Sequence, residues 1–213
     1  NDADAMVTGN IRHYAASIEK LKKVVDARPG EEIFGMTMLV SKGKTILIAD
    51  TNVKDFPSAE RLVNVSISCV RVAKLFGFDP KVAFLSHSTF GKPVSKNTKH
   101  VRDAIELLKT KNVDFDFDGE MQPDVALNPI YQEIYPFSKI VGKANILIMP
   151  ALHSAAISTK LMKSFGGAKS IGPLLIGLGL PIEVAPLRSS TSDILNLASI
   201  AAYSSDVIDY KKN

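Results

Sequence analysis

A hydroxyl-rich segment, Ser86-His87-Ser88-Thr89-Phe90-Gly91, follows a short apolar run that ends at Leu85. A loop of this kind between a buried strand and a helix can bind phosphate through its amide and hydroxyl groups, or it can simply cap the helix. Both interpretations remain open on these residues alone. His87 has no Gly-x-Ser-x-Gly turn and no paired aspartate nearby, which disfavours a Ser-His-Asp hydrolase.

A second polar segment, residues 186–193, contains Arg188, Ser189 and Asp193 and precedes an apolar helical pattern. The amide groups at the start of such a helix favour an anion. Asp193 or Ser192 could stand at the start of this helix.

Residue types that bind metals show no ligand spacing in this sequence. The histidines, at positions 13, 87, 100 and 153, form no His-x-x-x-His pair, and the single cysteine, Cys69, lies in an apolar helical run that places it in the core. Acidic residues around Phe115 and Phe117 predict a strand with one solvent-facing side that runs into a turn. Mg²⁺ binding at Asp118-Gly119-Glu120 is the alternative. We expect no metal in this chain.

The composition is that of a packed globular protein. Apolar residues make up 46% of the 213 residues, and the net charge of +4 is scattered without interleaved stacking aromatics, so we expect no nucleic-acid binding. No apolar stretch approaches the roughly 20 residues that span a bilayer, and no leader sequence is recognisable. We therefore expect no membrane contact and a cytoplasmic location. Because the sequence begins at Asn1 without Met, we also expect a piece of a longer protein.

Strand and helix patterns alternate along the chain, and these elements must position the two polar segments. Residues 35–40 and 45–49 are joined by a short turn with a glycine, which predicts an antiparallel hairpin. Three further runs are predicted buried strands: residues 82–85, 115–117 and 145–149. A final strand is expected to reach Val184. The helical patterns cover residues 14–26, 57–76, 99–109, 124–126, 154–163 and 192–203, with Ser58 as an N-cap and Gly77 as a C-terminal stop.

This alternation predicts an α/β fold with a mostly parallel sheet covered by helices on both faces. Ligands of such sheets bind at the carboxyl ends of the strands. The loops after Leu85, Phe117 and Met149 are therefore expected to converge.

Four sequence blocks carry more information together than any of them does alone: residues 85–91, 118–122, 144–150 and 172–175. In this order and at this spacing they resemble the phosphate acetyltransferase family, and the resemblance covers nearly the whole chain. The motif Ser-His-Ser-x-Phe-Gly is closer to the acetyltransferase-like module at the C-terminus of NADP-dependent malic enzymes than to stand-alone transferases.

The resemblance implies a two-lobed phosphotransacetylase-like fold with a coenzyme A cleft between the lobes and the early part of the first lobe missing. Residues 1–30 would be the remnant of the first lobe, residues 31–171 the second lobe, and residues 172–213 the C-terminal return to the first lobe. The thioester end of acetyl-CoA would lie between residues 86–91 and residues 188–193. His153 and Ser154 would form part of the cleft wall. The expected ligand-binding residues are Ser86, Ser88, Thr89, Phe90, Gly91, His153, Ser154, Arg188, Ser189 and Asp193.

Departures from the family pattern concern the phosphate-binding arginines. Glu19 stands where the resemblance leads us to expect an arginine, and an anion there would repel acetyl phosphate. Further along, Pro186 and Leu187 fall at the expected Ser-Arg pair, unless the loop shifts by one residue and Arg188 substitutes. Asp193 matches the position of the family's proton acceptor, and it is equally a candidate for capping the helix. A carboxylate at a helix start normally has a low pKa, so the catalytic role would require burial of Asp193.

These matches and departures imply an acetyl-CoA-binding regulatory domain of an NADP-dependent malic enzyme, in which we assign no residue a catalytic role. NADP, a divalent metal and the decarboxylation of malate to pyruvate would belong to a catalytic region absent from this chain. The expected partners are acetyl-CoA or CoA, the malic-enzyme catalytic domain, and a second copy in a homodimer or higher oligomer. One alternative is an active phosphate acetyltransferase that uses Arg188 and Asp193, and another is a purely structural dimerisation module.

Overall fold

The computed structural model describes residues 2–50, 56–93 and 95–208. The strands are β1 (Met6–Gly9), β2 (Phe34–Ser41), β3 (Lys44–Asp50), β4 (Lys81–Leu85), β5 (Asp116–Met121), β6 (Ile146–Ile148), β7 (Lys169–Ile176) and β8 (Ile182–Ala185). The helices are α1 (Tyr14–Leu21), α2 (Ala59–Leu75), α3 (Lys99–Lys109), α4 (Pro123–Leu127), α5 (Leu152–Ser164) and α6 (Thr191–Val207), with short 3₁₀ turns at Lys96–Thr98 and Pro129–Gln132.

Six strands form one sheet in the order β5-β4-β6-β3-β2-β7. The neighbours from β5 to β3 are parallel, whereas β2 runs antiparallel to both β3 and β7. The predicted α/β class and the predicted hairpin of β2 and β3 are confirmed. The antiparallel pair of β2 and β7 was not predicted, because the two strands lie far apart in sequence and no turn joins them.

Helices cover both faces of this sheet. Successive strand residues point to opposite faces, so Leu47 and Ala49 pack with α2 and α3 while Ile48, between them, packs on the side of α4 and α5. Cys69 is fully buried on α2 as predicted, and burial raises the pKa of its thiol, so this residue serves packing.

The predicted ends of α2 are also confirmed. The Ser58 side chain accepts a hydrogen bond from the Arg61 amide at 3.3 Å, which caps the first turn. At the other end, Gly77 adopts a φ of 78° directly after the helix. Local residue chemistry thus determines both boundaries of this helix.

A second, two-stranded sheet consists of the parallel pair β1 and β8. Gly9 permits their close approach, since a Cβ atom at this position would lie 2.3 Å from the carbonyl oxygen of Ala185. The helix α1 packs on this sheet through Ile18 and Leu21. The predicted lobe boundary between residues 171 and 172 falls inside β7, which pairs with β2 on both sides of that point. The division into lobes stays a prediction.

Two predicted elements differ from the structure. The helix expected over residues 14–26 ends at Leu21, because the chain beyond it bonds to the segment after β7, with the Arg28 amide donating to the carbonyl of Gly177 at 2.9 Å. The acidic turn expected at residues 118–120 is instead part of β5. Asp118 and Glu120 are both buried, so the expectation of a solvent-facing acidic side was wrong there.

Within the described ranges, no helix combines the length and the apolar character needed to cross a membrane.

Glu183 is a buried carboxyl group where β8 meets the large sheet. Its side chain accepts a hydrogen bond from the Leu175 amide of β7 at 2.9 Å, and the residue is only 5% exposed. Burial raises the pKa of Glu183 to about 8. The folded protein therefore holds this group protonated at neutral pH.

Replacing Glu183 by glutamine is expected to stabilise the protein in a pH-dependent way. The unfolded glutamate ionises near pH 4.5 and the folded one near pH 8, so the wild-type free energy of unfolding falls as pH rises between these values. Glu183→Gln keeps an acceptor for Leu175 and removes this loss, which amounts to at most about 5 kcal/mol. Denaturant unfolding at pH 5 and pH 8.5 measures the difference.

The matched control is Glu133→Gln, an exposed glutamate that should change little at either pH. A Glu183→Gln variant that is no more stabilised at pH 8.5 than at pH 5 would contradict the assignment of a raised pKa.

Candidate functional site

The first predicted segment, the loop after β4, turns its hydroxyl groups inward. Ser86 and Thr89 are buried and Ser88 is completely inaccessible. The Ser88 hydroxyl donates to a carboxylate oxygen of Glu120 at 2.6 Å, and its oxygen lies 3.1 Å from that of Ser86. The Ser88 amide donates to the Ser86 hydroxyl oxygen at 3.2 Å. These bonds satisfy the two serines within the protein.

Glu120 is the centre of this polar network. Its carboxylate accepts hydrogen bonds from Nη1 of Arg102 at 3.0 and 3.1 Å. Arg102 in turn donates to the Thr98 hydroxyl at 2.6 Å and to the Ser95 carbonyl at 2.9 Å. A buried carboxylate requires such a partner. The helix α3 and the loop after β4 are therefore held together through one carboxylate of β5.

The rest of the loop is fixed to the same strand. The Phe90 amide donates to the Glu120 carbonyl at 2.7 Å, and the Gln122 amide donates to the Thr89 hydroxyl at 3.2 Å. Phe90 and Gly91 both have positive φ angles, 48° and 82°. The Phe90 ring packs on Tyr135 and Phe137, with centroids 5.3 and 4.8 Å away. Of the loop, His87 keeps an exposed side chain.

The residues predicted as cleft wall lie at the start of α5. His153 is exposed, and its ring contacts Phe56 with centroids 5.8 Å apart, while Ser154 is half-buried.

Because β5, β4 and β6 are adjacent and parallel, the segments that follow them lie at the same end of the sheet. The predicted convergence is confirmed for the loops after β4 and β6, whereas the loop predicted after Phe117 is absent because β5 continues to Met121.

The second predicted segment lines a separate polar pocket of about 90 Å³. The pocket lies between the last turn of α5, the beginning of β7 and the turn from β8 into α6. Arg188 adopts a φ of 61°, and its amide donates to the Asn10 carbonyl at 3.2 Å, which ties this turn to the end of β1. The polar residues of the pocket are Lys163, Ser170, Arg188, Ser189, Asp193 and Asn196.

Asp193 is engaged in capping α6. Its carboxylate accepts from the Ser190 amide at 2.9 Å and from the Ser190 hydroxyl at 2.7 Å, while the Asp193 amide donates to the Ser190 hydroxyl oxygen. This reciprocal pattern is a capping box. The Ser190 hydrogen bonds lower the pKa of Asp193, and Lys163 adds to the effect. An ionised, half-exposed carboxylate with a low pKa is a weak proton acceptor at neutral pH.

The structure does not bring the two predicted segments together. Four strand spacings separate β4 from β7, which is about 19 Å. In addition, the register places Ile171 at the level of Val82, near the start of β4, whereas Ser86 follows the end of that strand. A ligand that contacts both segments of one chain must therefore be extended.

Three of the polar residues that line this pocket were not predicted from the sequence. Lys163 lies in the last turn of α5, Ser170 near the start of β7 and Asn196 on α6. The spacing of Ser190 and Asp193 is that of a capping box and can be recognised in the sequence. No sequence pattern predicts that Lys163, thirty residues earlier, lines the same pocket. Glu19 and Leu187, which stand at expected arginine positions, both have exposed side chains.

A family profile and the most similar relatives considered all point to the same family. The sequence profile described as Phosphate acetyl/butaryl transferase matches residues 1–202. An NADP-dependent malic enzyme of Rhizobium meliloti is 45% identical over 202 residues, which are 95% of this chain and 26% of that protein. A phosphate acetyltransferase of Bacillus subtilis is 30% identical over 202 residues, covering 94% of this chain and 62% of the relative.

Solved structures give the same result. A phosphotransacetylase from Streptococcus pyogenes superimposes with a TM-score of 0.89 at 32% identity, covering 96% of this chain and 63% of the other. The chain thus spans about a quarter of the length of the malic enzyme above and less than two thirds of the transferases.

Removing the guanidinium group of Arg102 is expected to destabilise the fold strongly. Arg102→Ala leaves the buried Glu120 carboxylate without its cation, which costs roughly 3 kcal/mol in the free energy of unfolding. Chemical denaturation measures this loss. The double variant Arg102→Ala/Glu120→Gln should recover part of it, because the remaining group carries no charge.

The control is Lys99→Ala on the same helix, whose ion pair with Asp103 is exposed and contributes less than about 1 kcal/mol. Equal losses in the Arg102 and Lys99 variants would show that Glu120 does not depend on Arg102.

Proposed function

The chain belongs to the phosphate acetyl/butaryl transferase family, and on that basis we propose that it is an acetyl-CoA-binding regulatory domain of an NADP-dependent malic enzyme. The oxidative decarboxylation of malate to pyruvate, with its NADP and divalent metal, belongs in this proposal to another part of the parent protein. The 45% identity to a malic enzyme supports this choice over a stand-alone transferase.

The hydrogen bonds and the lowered pKa of Asp193 are the observation that supports a regulatory rather than a catalytic role. By resemblance this residue occupies the place of the proton acceptor, yet both of its hydrogen bonds from Ser190 serve the start of α6. Its pKa is lowered rather than raised, so it holds a proton poorly once it has taken one. With Glu19 and Leu187 at the expected arginine positions, developing negative charge on a phosphate would be weakly stabilised.

The pocket at Arg188 suggests how binding would become regulation. One side of the pocket is lined by β7, a strand of the six-stranded sheet, and by α5, which packs on that sheet. The other side is lined by the turn from β8 into α6, and β8 is a strand of the two-stranded sheet. A ligand in contact with both parts favours the relative arrangement that suits it best. Acetyl-CoA then shifts the parent enzyme between states if its affinity for those states differs.

An apolar stripe on α5 supports the proposed homo-oligomer. Ile157, Leu161 and Phe165 recur every fourth residue and are 65%, 62% and 92% exposed. This spacing places Ile157 and Leu161 on one side of α5, with Phe165 directly after its last residue. Exposed apolar residues at neighbouring positions favour contact with a protein. We propose that a second copy of the chain covers this stripe.

An active phosphate acetyltransferase is the second candidate. It is favoured by the retained Asp193 and by Arg188, which follows the expected arginine position by one residue and lines the same pocket as Asp193.

Acetyl-CoA is expected to bind the protein without being turned over. At a ligand concentration of about 100 times Kd, the bound state gains roughly 2.7 kcal/mol of stability, which appears as a raised Tm. Calorimetric titration gives Kd, and a coupled assay with phosphate measures acetyl transfer. Absence of heat and of thermal shift at millimolar acetyl-CoA would remove the binding role. Acetyl transfer that is lost in Asp193→Ala would establish the transferase alternative.

Introducing a charge into the α5 stripe is expected to weaken self-association. Leu161→Glu would bury a carboxylate in the proposed interface, which should raise the dimer dissociation constant at least about ten-fold. Light scattering across a concentration series measures the mass. Lys160→Glu changes an exposed residue beside the stripe and serves as the control. A wild-type protein that remains a monomer at every concentration rules out the interface.

A further inference from the structure

Two lysines, Lys44 and Lys143, lie side by side at the end of the six-stranded sheet where its parallel strands begin. Leu47 of β3 pairs with Ile146 of β6 in parallel register, so the residues three positions earlier on each side, Lys44 and Lys143, stand at the same level. Neighbours at one level of adjacent parallel strands project from the same face of a sheet. The two side-chain nitrogens lie within hydrogen-bonding distance of each other, and both side chains are exposed.

No carboxylate pairs with these two lysines in the described part of the chain. Neither of them forms an ion pair there. The segments that carry them contain no aspartate and no glutamate from residue 34 to residue 49 and from residue 134 to residue 150. Two like charges therefore meet without a counter-charge on their own strands.

The neighbouring elements do not supply that counter-charge either. On one side, Lys81 at the start of β4 is a further cation, and its ammonium group donates to the Val141 carbonyl. On the other face, α4 bonds to the segment before β6 through its Ala126 carbonyl, and its acidic residue Asp124 accepts from the Val125 amide. Asp116 of β5 stands opposite Lys81 in the register, two strands away from β3.

This contact favours an unprotonated amine. An ammonium group has three donors and no acceptor, so a hydrogen bond between two lysines requires that one of them has lost its proton. The hydrogen bond and the charge of Lys44 lower the pKa of Lys143, and partial desolvation adds to the effect. A neighbouring cation is one of the ways in which proteins turn a lysine into a nucleophile. Lys143 thus combines an exposed position with a reactive nitrogen.

We propose that Lys143 is a site of spontaneous acetylation by acetyl thioesters, and that Lys44, acting only through Lys143, keeps it reactive. The Nζ lone pair attacks the thioester carbonyl carbon, and the C–N bond forms as the C–S bond breaks. The sulfur leaves as a thiolate, which takes up the proton that the nitrogen releases. The product is an uncharged acetyl-lysine, so the modification also ends the repulsion between the two side chains.

This inference goes beyond the proposed function. Neither lysine lines the pocket at the turn from β8 into α6, and the reaction requires only that the thioester collides with Lys143. Acetylation of this residue would therefore respond to the supply of acetyl donors independently of any binding site for acetyl-CoA.

The test measures how fast individual lysines of the whole chain are acetylated at neutral pH. S-acetylpantetheine is the donor, because it carries the thioester without the charges of coenzyme A, and peptide mass spectrometry gives the occupancy of each site over time. Lys143 is expected to react about five-fold faster than Lys99, whose ammonium group is paired with Asp103 at 2.6 Å. This factor corresponds to the repulsion between two unit charges about 4 Å apart in water.

Two variants of Lys44 separate its charge from its structure. Lys44→Gln removes the charge and should slow the acetylation of Lys143 about five-fold, whereas Lys44→Arg keeps the charge and should retain most of the wild-type rate. The difference between the wild type and Lys44→Gln should shrink in about 1 M salt, which screens the two charges from each other.

Three results would overturn the inference: Lys143 reacts no faster than Lys99, Lys143 reacts equally fast in the wild type and in Lys44→Gln, or the difference between these two proteins does not depend on salt. The last result would show that Lys44 acts through local structure rather than through its charge. Failure of acetyl-CoA to bind in calorimetry would remove the proposed function and leave this inference intact, since S-acetylpantetheine reacts without a binding site.

Discussion

The buried carboxylate of Glu120 is the constraint on which the arrangement around one end of the six-stranded sheet depends. A carboxylate that is removed from water must find its partners within the fold, and here those partners are Arg102 on α3 and Ser88 on the loop after β4. One side chain of β5 thereby fixes a helix and a loop at the same edge of the sheet. The hydroxyl groups of that loop are used for structure, and few remain for a ligand.

In the pocket at the turn from β8 into α6, by contrast, charged side chains are exposed. Lys163 and Arg188 are exposed cations without ion pairs in the described chain, and the single carboxylate beside them is occupied in a helix cap. Polar groups that are satisfied within the protein stabilise a fold, whereas exposed charged residues that line a pocket remain available to a ligand. For this reason our proposal places the ligand at the junction of the two sheets rather than at the serine-rich loop.

The features that depend only on residues close together in the sequence could be predicted from it. The hairpin of β2 and β3, the Ser58 cap and the buried Cys69 all follow from short-range patterns. The pairing of β7 with β2 and the burial of Glu120 depend on partners distant in sequence, and no periodicity encodes them. The two polar segments were expected to share one site. Strand order is a tertiary property, however, and it places three strands between β4 and β7.

Hydrogen–deuterium exchange with and without acetyl-CoA tests most directly where the ligand binds. The account predicts increased protection of residues 160–172 and 186–197, which surround the pocket of Lys163 and Arg188, with little change over residues 86–91. Protection confined to residues 86–91, or no protection at saturating acetyl-CoA, would contradict it.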